Sequence, residues 1–318
     1  MHLTAVRRTP TIAFLPFLAV ACASPRVRKG VAPAAVPSAA LRVYHSPSAR
    51  FVSFDALAAA VAGADVAYFG EQHDDPETHF AEFALLEAVG RRRDGVVLSL
   101  EMFERDVQPA LDDYLAGLAS EGEFLSRSRP WERYATDYRA MVQLARARGW
   151  PVVAANVPRP VASAVSRNGL AALDSLPPAA RVHAAREISC PRDAYYERFA
   201  EQMKGHGTAN PHAPSDSAAA GAMVWRFYEA QCVKDETMAE SIAAALARAA
   251  SGALVVHYDG AFHSDYGLGT VARGRRRLPD AKSLVISAIP VADPATVDPA
   301  PFATRGDFIV FTRRPPPR

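Results

Sequence analysis

Six short β-rich runs of consecutive apolar residues constrain this chain more than any other feature. They are Val66–Phe69, Val96–Leu100, Val152–Ala155, Leu254–Tyr258, Leu284–Ala288 and Phe308–Thr312. A strand with one wet face alternates apolar and polar residues. A run that is apolar at every position belongs to a strand covered on both faces, as in a parallel sheet between helix layers. Helical patterns fill the spaces between the early runs. Pro76 stands where a first turn begins, behind Asp74 and Asp75, whose carboxylates suit the free amides of a helix start. Phe80, Phe83, Ala84, Leu86 and Val89 then recur at helical spacing. Tyr134–Arg148 is a second amphipathic stretch, closed by Gly149 and Pro151. The pattern predicts an α/β fold, a mainly parallel central sheet flanked by helices.

The span between the third and fourth runs, about 156–252, is longer than one crossover helix needs. Ala179–Arg186, Asp193–Met203 and Ala218–Ala249 all have helix-forming composition. We read an inserted helical subdomain, so that one domain over 45–314 carries a helical cap at about 105–145 and 160–250. Inside it, residues 204–217 form a polar loop rich in Gly and Pro, with His206 and His212.

The N-terminus reads as an address. Arg7 and Arg8 precede the uncharged, apolar stretch Thr11–Ala21, which ends in Leu18-Ala-Val-Ala-Cys22. This predicts a lipoprotein-type signal peptide over 1–21, lipid (palmitate) attachment at Cys22, and a flexible tether over 22–44 rich in Ala and Pro. The expected location is the cell envelope, an outer-membrane lipoprotein facing periplasm or surface and touching the membrane through its anchor. No apolar run reaches the roughly 18–20 residues of a membrane span. Export would place Cys190 and Cys232 in an oxidising compartment, where they either pair or remain buried thiols. Thirty-six basic residues against 34 acidic ones leave a formal charge of +2, with no basic stripe, which excludes a nucleic-acid partner. The dense run of Arg273, Arg275, Arg276 and Arg277 reads as solvated surface.

In open α/β sheets ligands gather beyond the carboxyl ends of the strands. After the first run come Gly70, Glu71, Gln72 and His73; the second ends in Glu101. The third is followed by Asn156, Val157, Pro158 and Arg159, the fourth by Asp259 through His263. Two Gly-x-x-His tetrapeptides, Gly70–His73 and Gly260–His263, therefore follow two apolar strands. Glycine there permits a sharp turn or a close approach to the backbone. The imidazoles of His73 and His263, with Glu71 or Glu101, suit a first-row divalent ion; the metal set we read is His73, His263 and Glu71. Glu71, Glu101 and Arg159 would equally form a catalytic set, the carboxylates moving protons and the guanidinium holding an anion. Alternatively Glu101 is simply a buried partner of Arg159. Gln231 and Asp235 lie one turn apart on one helix face, where they either line the site or tie helices together. His257 reads as a core histidine, and His79 as a surface or supporting residue of the helix after Pro76.

At these residues the chain resembles the ChaN family of haem-binding bacterial lipoproteins, which shares a superfamily with the Tiki proteases and TraB-like proteins. The resemblance covers about residues 45–312. It rests on Tyr68-Phe-Gly-Glu-Gln-His-Asp74, Ser99-Leu-Glu-Met-Phe103 and Trp131 through Tyr138. It continues in Ala154-Ala-Asn-Val-Pro-Arg159, Gln231-x-x-x-Asp235-x-x-Met238-Ala239 and Gly260-Ala-Phe-His263. It implies an envelope protein that binds haem, or another iron compound, for iron uptake, with dimerisation around haem. His73, Arg159, His206, Gln231, Asp235 and His263 would then contact the cofactor, Arg159 pairing with a propionate. His206 and His212 are either exposed loop histidines or an axial ligand delivered by a mobile loop, with tyrosines competing for that role, and Trp131–Tyr138 would either pack the core or wall a porphyrin. The Tiki branch implies the alternative, metal-dependent peptide hydrolysis at His73, His263 and Glu71 or Glu101.

Overall fold

The computed structural model describes residues 41–207 and 217–314. The segment 1–21, Cys22 and His212 lie outside the described residues, and so does the side chain of His206. Strands β1 (Leu41–His45) and β2 (Arg50–Val52) open the domain. Helix α1 (Phe54–Ala62), capped by Ser53, leads to β3 (Val66–Glu71), α2 (Pro76–Gly90) and β4 (Val96–Glu104). Helices α3 (Gln108–Leu115), α4 (Glu121–Ser128) and α5 (Arg139–Arg148), with a π-helical turn at Tyr134–Tyr138, precede β5 (Val152–Asn156). The long connection then holds α6 (Arg159–Asn168), α7 (Pro178–Arg181), α8 (Ala194–Gly207) and α9 (Ser217–Arg248). Strand β6 (Leu254–Gly260), α10 (Ala261–Ser264), α11 (Gly269–Arg277), β7 (Ser283–Val291) and β8 (Phe308–Arg313) complete it.

Among the described residues an eight-stranded sheet runs in the order β2-β1-β8-β7-β3-β6-β4-β5. From β8 to β5 all neighbours are parallel; β1 lies antiparallel to both β8 and β2. All six apolar runs are strands, and the fold is the expected α/β class. Several strands extend beyond their apolar runs, so Glu71, Glu101 and Asp259 sit within strands rather than after them.

The two faces explain the unbroken apolar sequence. Phe69, Leu98, Leu100 and Val256 pack on the side of α1, α2 and α5. Val66, Tyr68, Val97 and Val255 pack on Ile242 and Ala245 of α9 and Val271 of α11. Each fully buried Val or Leu contributes roughly 1.5–3 kcal/mol of transfer energy. Helix α2 starts as its sequence requires: Asp75 caps the Thr78 amide at 3.2 Å, and Pro76 occupies the first turn.

Topology then brings the two tetrapeptides together. The chain passes from β3 to β4 and β5, returns to place β6 between β3 and β4, and sets β7 on the other side of β3. Strands β3 and β6 are parallel neighbours with Glu71 level with Gly260. This reversal is the kind of switch point where such sheets bind ligands.

Three expectations change. Residues 41–44, read as the end of the tether, form most of β1 in the sheet. The segment 105–145 is not a cap with its own core, because Tyr114, Phe124, Tyr138 and Met141 belong to the main cluster. The arginine run is not simply solvated: Arg273, Arg276 and Arg277 converge on buried Glu236. The long connection has small clusters of its own, Val161, Val165 and Val233 at α6–α9 and Tyr195, Tyr228 and Cys232 at α8–α9. Its last helix, α9, is itself the crossover to β6, and α6, α7 and α8 before it make up the additional length. No helix among the described residues is long and apolar enough to cross a membrane.

Cys190 and Cys232 form a disulfide with Cα atoms 5.5 Å apart. It ties the segment before α8 to the middle of α9 across 42 residues of sequence. A Cys232→Ser variant should lose about 2–4 kcal/mol, measured by denaturant unfolding without reductant. An unchanged midpoint would show that α8 is held by packing alone.

Candidate functional site

Glycine serves close approach here, in a reciprocal way. A Cβ on Gly70 would lie 2.9 Å from the Ala261 Cα of the second motif and 2.6 Å from the Oγ of Ser264, the residue after it. A Cβ on Gly260 would lie 2.7 Å from the His73 Nε2 of the first. Each motif's glycine admits the other motif, so the two turns interlock at the carboxyl edge of β3 and β6.

Each histidine is oriented by a carboxylate. His73 Nδ1 lies 2.5 Å from Glu71 Oε1, which also accepts a 2.6 Å bond from the Tyr138 hydroxyl. His263 Nδ1 lies 2.7 Å from Asp235 Oδ1 on α9, and Asp235 accepts a further 2.9 Å bond from Thr270. Its Nε2 is 3.3 Å from Glu101 Oε1, while Glu101 Oε2 accepts the Gly260 amide at 2.7 Å. Carboxylates on Nδ1 fix the ring orientation and raise basicity.

The electrostatics follow from these contacts. Burial alone would discharge His263, but Glu101 and Asp235 lift its pKa to about 10, so it is an imidazolium at neutral pH. Burial would raise the Glu101 pKa, yet His263, His73 and the Gly260 amide hold it far below the ordinary carboxylate range. His73 feels burial pulling its pKa down, but the Glu71 hydrogen bond and the Glu101 charge carry it above the usual value. Beneath them, burial and the charge of Glu71 push the Glu82 pKa well above the usual carboxylate range. His79 Nδ1 lies 2.9 Å from Glu82, and its Nε2 lies 3.1 Å from the His73 carbonyl and 3.3 Å from Asp137. His79 is therefore a buried support and not a surface residue. His257 is a core histidine as expected: burial drops its pKa to about 3, and its Nδ1 meets Ser99 Oγ at 2.9 Å.

Of these groups Glu71, His73 and His263 line a cavity of about 730 Å³ between the sheet edge and α8. Tyr195, Phe199 and Phe262 supply an aromatic wall. Arg198 and Arg305 also line it, Arg198 lying 3.3 Å over the Tyr266 ring and Arg305 paired with Asp265 at 3.2 Å. Tyr266 has a left-handed φ of 64° and is pinned by its amide donating to the Arg305 carbonyl at 2.6 Å. An αL conformation is unusual for a bulky residue and marks a constrained position. A second lobe of about 330 Å³ shares Gln231 and Phe199 with the first and contains Glu101, Trp131 and Arg159.

Thus Glu71, His73, Glu101, Gln231, Asp235 and His263 meet at one edge. Gln231 does line the site, donating to Tyr195 at 3.1 Å beside the His263 ring. Arg159 is exposed in the second lobe and does not pair with Glu101. The metal set of His73, His263 and Glu71 is not brought together around one point: Glu71 Oε1 serves both His73 Nδ1 and the Tyr138 hydroxyl, and His263 is held between Asp235 and Glu101. Among the described residues the three groups close enough to share an ion are Glu71, His79 and Glu82, all buried and without Glu101 or either Gly-x-x-His imidazole. Sequence reasoning missed Tyr138 as the anchor of Glu71, and missed Arg198, Tyr266 and Arg305. The last three come from a helix read only as composition and from loops, with no motif to flag them.

Fold and site define an α/β ligand-binding domain whose cavity opens at the switch point of a doubly covered sheet. The chain belongs to the family described as haem-binding uptake, Tiki superfamily, ChaN, whose model matches residues 57–273. It is similar in fold to a solved structure described as cofacial heme binding to ChaN of Campylobacter jejuni, with TM-score 0.65 and 14% identity, covering 86% of this chain and 98% of that one. A likeness to RRSP, a MARTX toxin effector domain from Vibrio vulnificus CMCP6, has TM-score 0.40 and 18% identity over 76% of this chain and 37% of that one. Among curated proteins no sequence matches.

Proposed function

We propose that this protein binds haem in the cavity beneath α8, as a lipid-anchored envelope protein serving iron uptake. The observation that carries the reading is the 730 Å³ cavity, which joins an aromatic wall to cationic arginines and carboxylate-oriented imidazole. Family membership supports the same ligand. Two side chains there have ligand atoms with no hydrogen-bond partner among the described residues: His73 at Nε2, with its side chain 47% exposed, and Tyr266 at its hydroxyl. Either suits ferric haem, whereas both ring nitrogens of His263 are already held by Asp235 and Glu101. The lipid anchor at Cys22 and a homodimer closed around haem complete the proposal.

Titration of haemin into the protein should give a saturable Soret shift at micromolar concentration. His73→Ala or Tyr266→Phe should shift or weaken that band, and light scattering should show dimer formation on loading. No spectral change would overturn the reading.

One observation favours a second reading. His73 and His263, each oriented by a carboxylate, flank Glu101, as proton-transfer chemistry in a hydrolase would require. That reading predicts turnover of peptide substrates that Glu101→Gln abolishes without loss of haem binding.

A further inference from the structure

The second lobe is built from different chemistry than the first. It lies between β5, the start of α6 and the middle of α9, and shares Gln231 and Phe199 with the lining of the main cavity. Arg159 at the start of α6 and Lys234 in the middle of α9 both line it, together with Trp131 and Phe227. Arginines nearby are engaged: Arg105 binds Glu240 at 3.0 Å and Arg129 binds Asp106 at 2.7 Å. Arg159 and Lys234 have no ion-pair or hydrogen-bond partner among the described residues. The two carboxylates in the lobe are already committed, Glu101 to His263 and the Gly260 amide, Glu104 to Arg129.

We propose that this lobe is a carboxylate subsite in which Arg159 and Lys234 bind an acidic group of a ligand whose body lies in the main cavity. The inference rests on the haem reading only for the identity of that ligand, whose propionate would fill the lobe. Two uncompensated cations in a concave site favour an anion. The nearby charges of Glu101 and Glu104 favour the singly charged carboxylate over a doubly charged phosphate. Arg159 offers a planar fork to the carboxylate, and Lys234 adds a compact charge. Trp131 and Phe227 would exclude water around the chain that bears the acid.

The lobe is first tested without haem, using succinate as the probe. Titration should move the Arg159 Nε–H and Lys234 side-chain resonances saturably in the millimolar range, and Arg159→Gln with Lys234→Gln should abolish the effect. Absence of any shift would overturn the inference. Haemin and its dimethyl ester form the second arm. Each single variant should weaken haemin binding about tenfold, the usual size for loss of one charge-assisted bond. Neither variant should weaken the ester, which lacks the acid. Haemin bound equally by wild type and both variants would overturn the subsite and leave the haem reading intact. Succinate bound at the lobe with no haemin bound at all would support the subsite and overturn the haem reading.

Discussion

Asp235→Ala should lower folding stability by about 3–5 kcal/mol, the cost of stripping one partner from a buried ion pair. Asp235 is wholly buried and holds His263 Nδ1 at 2.7 Å and the Thr270 hydroxyl at 2.9 Å. Without it, the His263 imidazolium keeps only Glu101 against the desolvation that opposes its charge. The pH dependence has a definite sign. The folded pKa of His263, about 10, stands above its ordinary value of 6.5. Its contribution is therefore complete below about pH 6.5 and is lost as pH rises toward 10. Wild-type stability should decline across that window, and Asp235→Asn should flatten the decline. Denaturant midpoints measured from pH 6 to pH 10 test this, with the His263 ring proton followed by NMR. Identical pH slopes in the two proteins would show that His263 is not the charged group described above.

The adjacent residue should give a comparable loss for a different reason. Glu236→Ala is expected to cost about 3–5 kcal/mol by leaving buried Arg273 without its carboxylate. Glu236 also holds Arg276 at 2.6 Å and Arg277 at 2.5 Å, and accepts the Ser189 amide at 3.1 Å. It ties α9 to α11 and to the segment before α8, away from the cavity floor. Haemin affinity should therefore survive in Glu236→Ala at temperatures where the variant is folded. A variant as stable as wild type would mean that the arginines find other acceptors at no cost.

These neighbours on α9 show how much was legible in sequence. The six central strands were visible because burial on both faces leaves consecutive apolar residues. Strands β1 and β2 were not: Leu41–His45 lies near the antiparallel edge and includes Arg42, and Arg50–Val52 has only three residues. Glu71, His73, Glu101 and His263 were readable because strand ends in a parallel sheet converge. The spacing of Gln231 and Asp235 put both on one face, and the structure gives both a place beside His263. His79 stayed open between surface and support because its position on α2 says nothing of a second buried polar layer formed by Glu82 and Asp137. The alternative in which Glu101 pairs with Arg159 is not seen, because Glu101 is drawn to His263 and a backbone amide across the sheet. Arg198, Tyr266 and Arg305 reach the cavity from elements with no periodic or motif signal, and only tertiary packing reveals them.

Anomalous diffraction at the iron edge, on crystals grown with haemin, tests the central claim most directly. The iron peak should lie inside the cavity bounded by His73, Tyr266 and α8, within bonding distance of His73 Nε2 or the Tyr266 hydroxyl. Iron found only on the outer surface, or no ordered iron with the cavity still solvent-filled, would contradict the assignment of this cavity as the haem site.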